Sequence, residues 1–254
     1  MTLEIQLIPA LRDNYIYLLR EPQSGAVGAV DPSEAAPVLA ALKSRGLTLT
    51  HIINTHHHPD HTGGNLALKA ASNAIVVGPL ADKGRIPGID VALGDGDTFK
   101  FGNAAATVFD VPGHTRGHIA YWFKDSLALF SGDTLFLMGC GRLFEGTPQQ
   151  MWNSLSKLKI LPPETRVYCG HEYTQANARF ALTIEPKNTA LLARSEHVDE
   201  LRAAGQSTVP GTMGDELATN PFLRADVPEL QRAMGAPGDA VATFAAIRKA
   251  KDVF

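Results

Sequence analysis

Residues 54–64 read Asn-Thr-His-His-His-Pro-Asp-His-Thr-Gly-Gly, placing four of the chain's nine histidines and one carboxylate within six positions. No ordinary packing need sets imidazoles side by side at that density, so the fold must be one that presents them together on a short loop. His57 and His61 are four apart, but Pro59 between them and the lack of a glutamate after His57 exclude a helix-borne zinc motif. In an extended segment, His56 and His58 point to one side and His57 to the other. His57 is therefore read as structural. Asp60 and His61 fall in a turn and can aim at a second point nearby, so one loop can feed two metal ions about 3.5–4 Å apart.

Three other segments share a local grammar of apolar strand, glycine and ligand type: Val108 to His114, Leu129 to Asp133 and Val167 to His171. Glycine lets the backbone turn sharply or approach an ion, and strand ends gather loop-borne ligands on a rigid frame. Taken singly, His114 and His171 read as structural histidines and Asp133 as a turn-former. With the 56–61 loop they complete a dinuclear set.

Periodicity places strands at 3–8, 15–19, 27–30, 47–54, 74–77, 105–111, 119–123, 127–130 and 166–169. Ser33 is expected to cap a helix that ends at Gly46, and a second helix spans 147–158. After His171 the pattern turns helical, at 173–182, 189–204, 229–234 and 240–251. The expected organisation is a mixed sheet domain over 1–172 and a small helical domain over 173–254, joined through Gly- and Pro-containing stretches near 205–214.

Composition narrows the function classes. With 23 Lys and Arg against 26 Asp and Glu, the net charge of −3 is too balanced for a dedicated nucleic-acid binder. Two cysteines without CxxC spacing, Cys140 and Cys169, support neither a disulfide framework nor a cysteine zinc cage and point to a reducing compartment. No secretory signal is visible, and no apolar run approaches the roughly 20 residues of a membrane span. A soluble cytoplasmic monomer without nucleic-acid or membrane partners is expected.

The motifs Thr55-His56-His57-His58-Pro59-Asp60-His61, Gly113-His114-Thr115, Ser131-Gly132-Asp133 and Gly170-His171-Glu172 together resemble the metallo-β-lactamase superfamily. That resemblance implies an α/β fold, a four-layer αββα sandwich, here followed by the helical domain. It implies that His56, His58 and His114 hold one divalent ion and Asp60, His61 and His171 the other, with Asp133 bridging them. Zinc is the first expectation, with iron or manganese as alternatives. The segments 139–147, Gly170-His171-Glu172-Tyr173-Thr174, Asn220-Pro221-Phe222-Leu223-Arg224 and 247–252 further resemble the hydroxyacylglutathione hydrolases, or glyoxalase II, over nearly the whole chain.

This family hydrolyses the thioester S-D-lactoylglutathione to glutathione and D-lactate, the second step of methylglyoxal detoxification, with a metal-bridged hydroxide that Asp60 and Asp133 position. Arg142, Tyr173, Arg248 and Lys251 are implied to contact the glutathione portion. Arg142 stands where eukaryotic members usually carry lysine, and Phe144 where they carry tyrosine, so one hydroxyl donor is lost. Arg248 and Lys251 share a helix face suited to a carboxylate, while Lys249 lies off it. Asp31 reads first as a turn or helix-start residue and second as outer support for the metal ligands. His51, His118 and His197 match no ligand position. The rivals are a persulfide dioxygenase with one iron, a lactonase, and a non-catalytic binding module, which would show eroded ligands.

Overall fold

The computed structural model describes residues 2–254 and forms two compact units, one running to Asp110 and including Arg116–Gly132, the other made of Val111–Thr115 and Asp133–Phe254.

The first unit holds strands β1 (Glu4–Ala10), β2 (Asn14–Arg20), β3 (Val27–Val30), β4 (His51–Ile53), β5 (Ile75–Pro79), β6 (Val91–Leu93), β7 (Thr98–Phe101), β8 (Ala104–Asp110), β9 (Ile119–Phe123) and β10 (Ala128–Gly132). Its helices are α1 (Ala35–Arg45), α2 (Pro59–Thr62) and α3 (Asn65–Ser72). One sheet runs β1 to β6 in sequence order, antiparallel through β3 and parallel from β3 to β6. A second is an antiparallel meander of β7 to β10.

Parallel strands need crossovers, and α1 and α3 supply them between β3, β4 and β5. Val38, Leu42 and Leu68 of these helices pack on Ile16, Leu18, Ala29, Ile52 and Val76, covering one face of the first sheet. The other face meets the second sheet, where Tyr17 lies 5.5 Å from Phe130 and His51 lies 5.2 Å from Phe101 between ring centroids. Covered on both sides, β2 and β3 read as nearly continuous apolar runs rather than alternating ones.

The second unit contains the hairpin β11 (Leu135–Phe136) and β12 (Gly139–Cys140), then α4 (Pro148–Leu158), β13 (Arg166–Cys169), α5 (Thr174–Ile184), α6 (Thr189–Ala203), β14 (Gly211–Thr212), α7 (Met213–Thr219), α8 (Pro228–Ala233) and α9 (Ala240–Asp252). Thr147 caps α4 in a reciprocal box with Gln150, and Pro148 occupies the first turn, an arrangement worth about 1 kcal/mol. Met138, Ala178, Ala181, Leu191 and Val198 form one core cluster. Phe180, Phe222 and Phe244 continue the packing with centroids 6.2 and 5.7 Å apart.

Three sequence expectations differ from the structure. Glu34, not Ser33, occupies the cap of α1, and the Ser33 hydroxyl finds no hydrogen-bond partner. Only 51–53 of the strand expected over 47–54 is ladder-paired. The 205–214 stretch is not a bare connector: Gly211 and Thr212 pair with Val167 and Arg166, and Thr212 caps α7 through a box with Asp215.

Candidate metal centre

In the first unit the ligand loop leaves the C-terminal edge of the parallel strands, where open α/β sheets commonly place their chemistry. The register Val30↔Ile53 sets Asp31 beside Asn54 and Thr55, and the Asp31 N–H donates to the Ile53 carbonyl at 2.9 Å. Asp31 is buried at a left-handed φ of 48°. Its carboxylate accepts from the Thr55 N–H at 2.8 Å and the Thr55 hydroxyl at 2.7 Å, and lies 3.1 Å from His61 Nδ1. Thr55 Oγ1 is in turn 3.0 Å from His56 Nδ1.

A carboxylate only accepts, so His61 must carry its proton on Nδ1. The Thr55 hydroxyl spends its hydrogen on Asp31, so its oxygen accepts from His56 Nδ1. One carboxylate thus keeps the Nε2 atoms of both His56 and His61 unprotonated, the state a metal ligand requires. The second reading of Asp31, as outer support, is the one its contacts match.

His56 Nε2 lies 3.1 Å from His58 Nδ1, and His61 Nε2 lies 3.7 Å from Asp60 Oδ2. Ligand atoms about 2.0–2.2 Å from one ion at tetrahedral angles stand roughly 3.3–3.6 Å apart, and these two spacings fall just below and just above that range. Asp60 is held by Asn14, whose amide donates to its carboxylate at 3.1 Å and its carbonyl at 3.0 Å. His57 points elsewhere, with Nδ1 3.0 Å from Asp82 and Nε2 3.1 Å from Arg85, in keeping with its structural reading. His118 is buried and stacks on His56 at 4.6 Å. Gly132 closes β10 at φ 49°, where a Cβ would collide with Thr55 Oγ1 and come within 2.7 Å of the His118 ring.

In the second unit, Asp133 Oδ2 stands 3.4 Å from His114 Nε2 and 3.4 Å from His171 Nε2. All three residues are buried. The opposite nitrogen of His114 donates to the Arg142 carbonyl at 2.9 Å, which again leaves Nε2 without the proton. The Tyr173 ring stacks on His171 at 4.7 Å with an interplanar angle of 1° and remains 37% exposed.

The other residues implied to touch substrate belong to this unit as well. Arg142 is exposed, whereas Arg248 is buried, donates to the Cys140 carbonyl at 3.0 Å and pairs with Asp252 at 2.9 Å. Lys251 is half-buried beside the Phe180 and Phe254 rings. Desolvation, followed by the charge of Arg248, pulls its ammonium down to about 8. Lys249 is exposed and Phe144, 64% exposed, sets its ring 5.1 Å from that of His114. Cys140 and Cys169 are buried and form no disulfide; burial pushes their thiols up to about 11 and about 12. No described helix is long and apolar enough to cross a membrane.

Residues 20–171 match the model of the metallo-β-lactamase superfamily, and residues 172–254 match the model described as hydroxyacylglutathione hydrolase C-terminus. The chain is 61% identical over 253 residues to a hydroxyacylglutathione hydrolase of Methylococcus capsulatus, with 99% of each covered. It is 58% identical to that of Rhodospirillum rubrum over 100% of this chain and 99% of the relative. Among solved structures it resembles ETHE1 from Myxococcus xanthus, with a TM-score of 0.71, 25% identity and coverage of 98% of this chain and 90% of that one. It also resembles TTHA1623, crystallised in a di-iron-bound form, with a TM-score of 0.60, 27% identity and coverage of 86% and 99%.

Proposed function

The chain belongs to the hydroxyacylglutathione hydrolases of the metallo-β-lactamase superfamily, and from that premise we propose how its own residues carry out the family reaction. It is a thioester hydrolase that cleaves S-D-lactoylglutathione to D-lactate and glutathione. The fold is the α/β metallo-β-lactamase fold with an added C-terminal region, and its His and Asp clusters are suited to divalent metals.

The proposed ligand set follows the family likeness: His56, His58 and His114 for one ion, Asp60, His61 and His171 for the other, and Asp133 between them. The observation that carries it is the single carboxylate oxygen of Asp133 standing 3.4 Å from the Nε2 atoms of two histidines assigned to different ions. Two zinc ions are proposed, with iron or manganese able to replace them; the di-iron form of TTHA1623 supports a two-ion reading. When bound, such ions supply a water nucleophile usable at neutral pH and draw electron density from the thioester carbonyl.

The protein's own part is positioning. Asp60, fixed by Asn14, and Asp133 accept hydrogen bonds from the attacking water and aim its lone pair at the carbonyl carbon. The departing thiolate is a good leaving group, so no strong general acid is required. Tyr173, Arg248 and Lys251 hold the tripeptide from the helical region 173–254, with Arg142 contributing from the preceding region; we propose 173–254 as the substrate-binding domain of a cytoplasmic monomer following a catalytic domain over 1–172.

Elemental analysis of purified protein should find about two transition-metal ions per chain, and Asp133→Ala should lose both metal and turnover. One ion per chain with full activity, or an active Asp133→Ala protein, would overturn the two-ion reading. Equal efficiency on a thioester lacking the tripeptide would overturn the recognition role of the tail.

A further inference from the structure

The segment 133–142 carries Asp133 at its start and, at its end, the Arg142 carbonyl that orients His114. Between them lies the β11–β12 hairpin, whose tip residue Met138 has a left-handed φ of 53°. A two-residue ladder cannot satisfy its own buried backbone groups, and each one left unpaired would cost about 1–3 kcal/mol.

The helical region meets this demand group by group. Glu216, fully buried on α7, accepts from the Met138 N–H at 2.8 Å. Asn220, just past that helix, donates its amide to the Phe136 carbonyl at 3.2 Å, the Gly139 carbonyl at 3.0 Å and Glu216 at 2.9 Å. Asn177 on α5 donates to the Leu137 carbonyl at 3.0 Å, and Arg248 on α9 to the Cys140 carbonyl at 3.0 Å. Arg194 on α6 closes the network by pairing with Glu216.

Asn220 opens the Asn-Pro-Phe-Leu-Arg motif, whose role the hydrolytic reading leaves unassigned. The two amide hydrogens face three acceptors, so no hydrophobic or acceptor-only residue of similar size replaces them. Glu216 is what allows that amide to point both ways, because its carboxylate accepts from Asn220, Arg194 and Met138 together.

We propose that Glu216 and Asn220 are positioning residues for the metal ligands: they hold the 136–140 hairpin and thereby fix both Asp133 and the carbonyl that orients His114. The helical region therefore does more than cover substrate; it sets the metal affinity of ligands that precede it in the chain. This rests on the ligand assignment proposed above. Loss of an outer partner of a metal ligand typically weakens binding by about 10–100-fold.

The test is zinc competition against a chelator, with thermal unfolding of the metal-free protein, on Asn220→Ala, Glu216→Gln, Leu230→Ala and Asp133→Ala. Leu230 is buried on α8 and has no polar contact with the hairpin, so its variant measures what simple destabilisation of the helical region does. The expected result is a roughly 10–100-fold loss of zinc affinity in Asn220→Ala and Glu216→Gln, with Leu230→Ala near wild type at a comparable or larger drop in Tm. Glu216→Gln keeps the side-chain volume, so it remains readable if Asn220→Ala fails to fold. Wild-type zinc affinity in Glu216→Gln, or an equal loss in Leu230→Ala, overturns the proposal. Undiminished zinc binding in Asp133→Ala would instead overturn the ligand assignment, which separates the two failures.

Discussion

Replacing Asp31 by asparagine should uncouple folding from metal binding. The carboxylate receives three donors, the Thr55 N–H, the Thr55 hydroxyl and His61 Nδ1. Asparagine keeps the volume, and its carbonyl can still accept from the Thr55 N–H. Its NH2 must then occupy the place of the oxygen that faced Thr55 Oγ1 and His61 Nδ1, and it needs acceptors there. His61 answers by moving its proton to Nε2, which removes the lone pair required for ligation; a reversed Thr55 hydroxyl would donate to His56 and do the same. Expected metal affinity falls by about 10–100-fold, or about 1.4–2.7 kcal/mol. Stability of the metal-free protein should change little, since every buried group retains a partner. Asp31→Ala differs: three buried donors lose their acceptor at about 1 kcal/mol or more each, at least about 3 kcal/mol together. For a chain of this size that lowers Tm by about 6–12 °C. Elemental analysis, chelator competition and thermal unfolding of the metal-free forms separate the two variants. Wild-type metal affinity in Asp31→Asn would refute the tautomer reasoning.

Other outcomes follow from single positions. Gly132→Ala places a Cβ against Thr55 and His118 at a left-handed φ, and should cost more than about 2 kcal/mol, read as a lower Tm. Lys251→Ala should raise KM for S-D-lactoylglutathione while kcat and metal content hold, whereas exposed Lys249→Ala should leave all three unchanged in steady-state assays. Because the folded value for Lys251, about 8, lies below its ordinary 10.5, the unfolded chain binds more protons between those limits, and this group's contribution to stability increases as pH rises through the window. Its charge fades over the same window, so KM should climb above about pH 8 in the wild type and stay flat in Lys251→Arg; a flat wild-type profile would remove Lys251 from substrate binding.

The candidate ligands were legible because metal chemistry is written locally: His56, His58, Asp60 and His61 share one loop, and His114, Asp133 and His171 each follow a glycine at or near a strand end. The groups that orient them were not, apart from Asp31 as a reading second to a turn or helix-start role. Asp31 meets His61 because parallel pairing sets β3 beside β4, and Asn14 meets Asp60 across 46 residues, so neither has a local signature. Glu216 and Asn220 reach a hairpin about 80 residues earlier, a relation that no periodicity encodes. The overlooked elements α3, β6, β7 and α7 have three to eight residues each, too few for a clear period. Ser33 looked like a cap from its residue type alone, and the chain begins its helix two residues later.

The two buried cysteines bear on how such an enzyme survives its own product. Each turnover releases a free thiol, and tripeptide thiols and their disulfides exchange readily with any protein thiolate they can reach. With thiols pushed up to about 11 and about 12, Cys140 and Cys169 are ionised to only about one part in ten thousand or less at pH 7, and neither is open to solvent. Cys140 is the more consequential of the two, because a bulky adduct on its sulfur would displace the Arg248 guanidinium that lies 3.8 Å away. Burial thus makes the chain resistant to mixed-disulfide inactivation in the very solution its catalysis enriches with thiol.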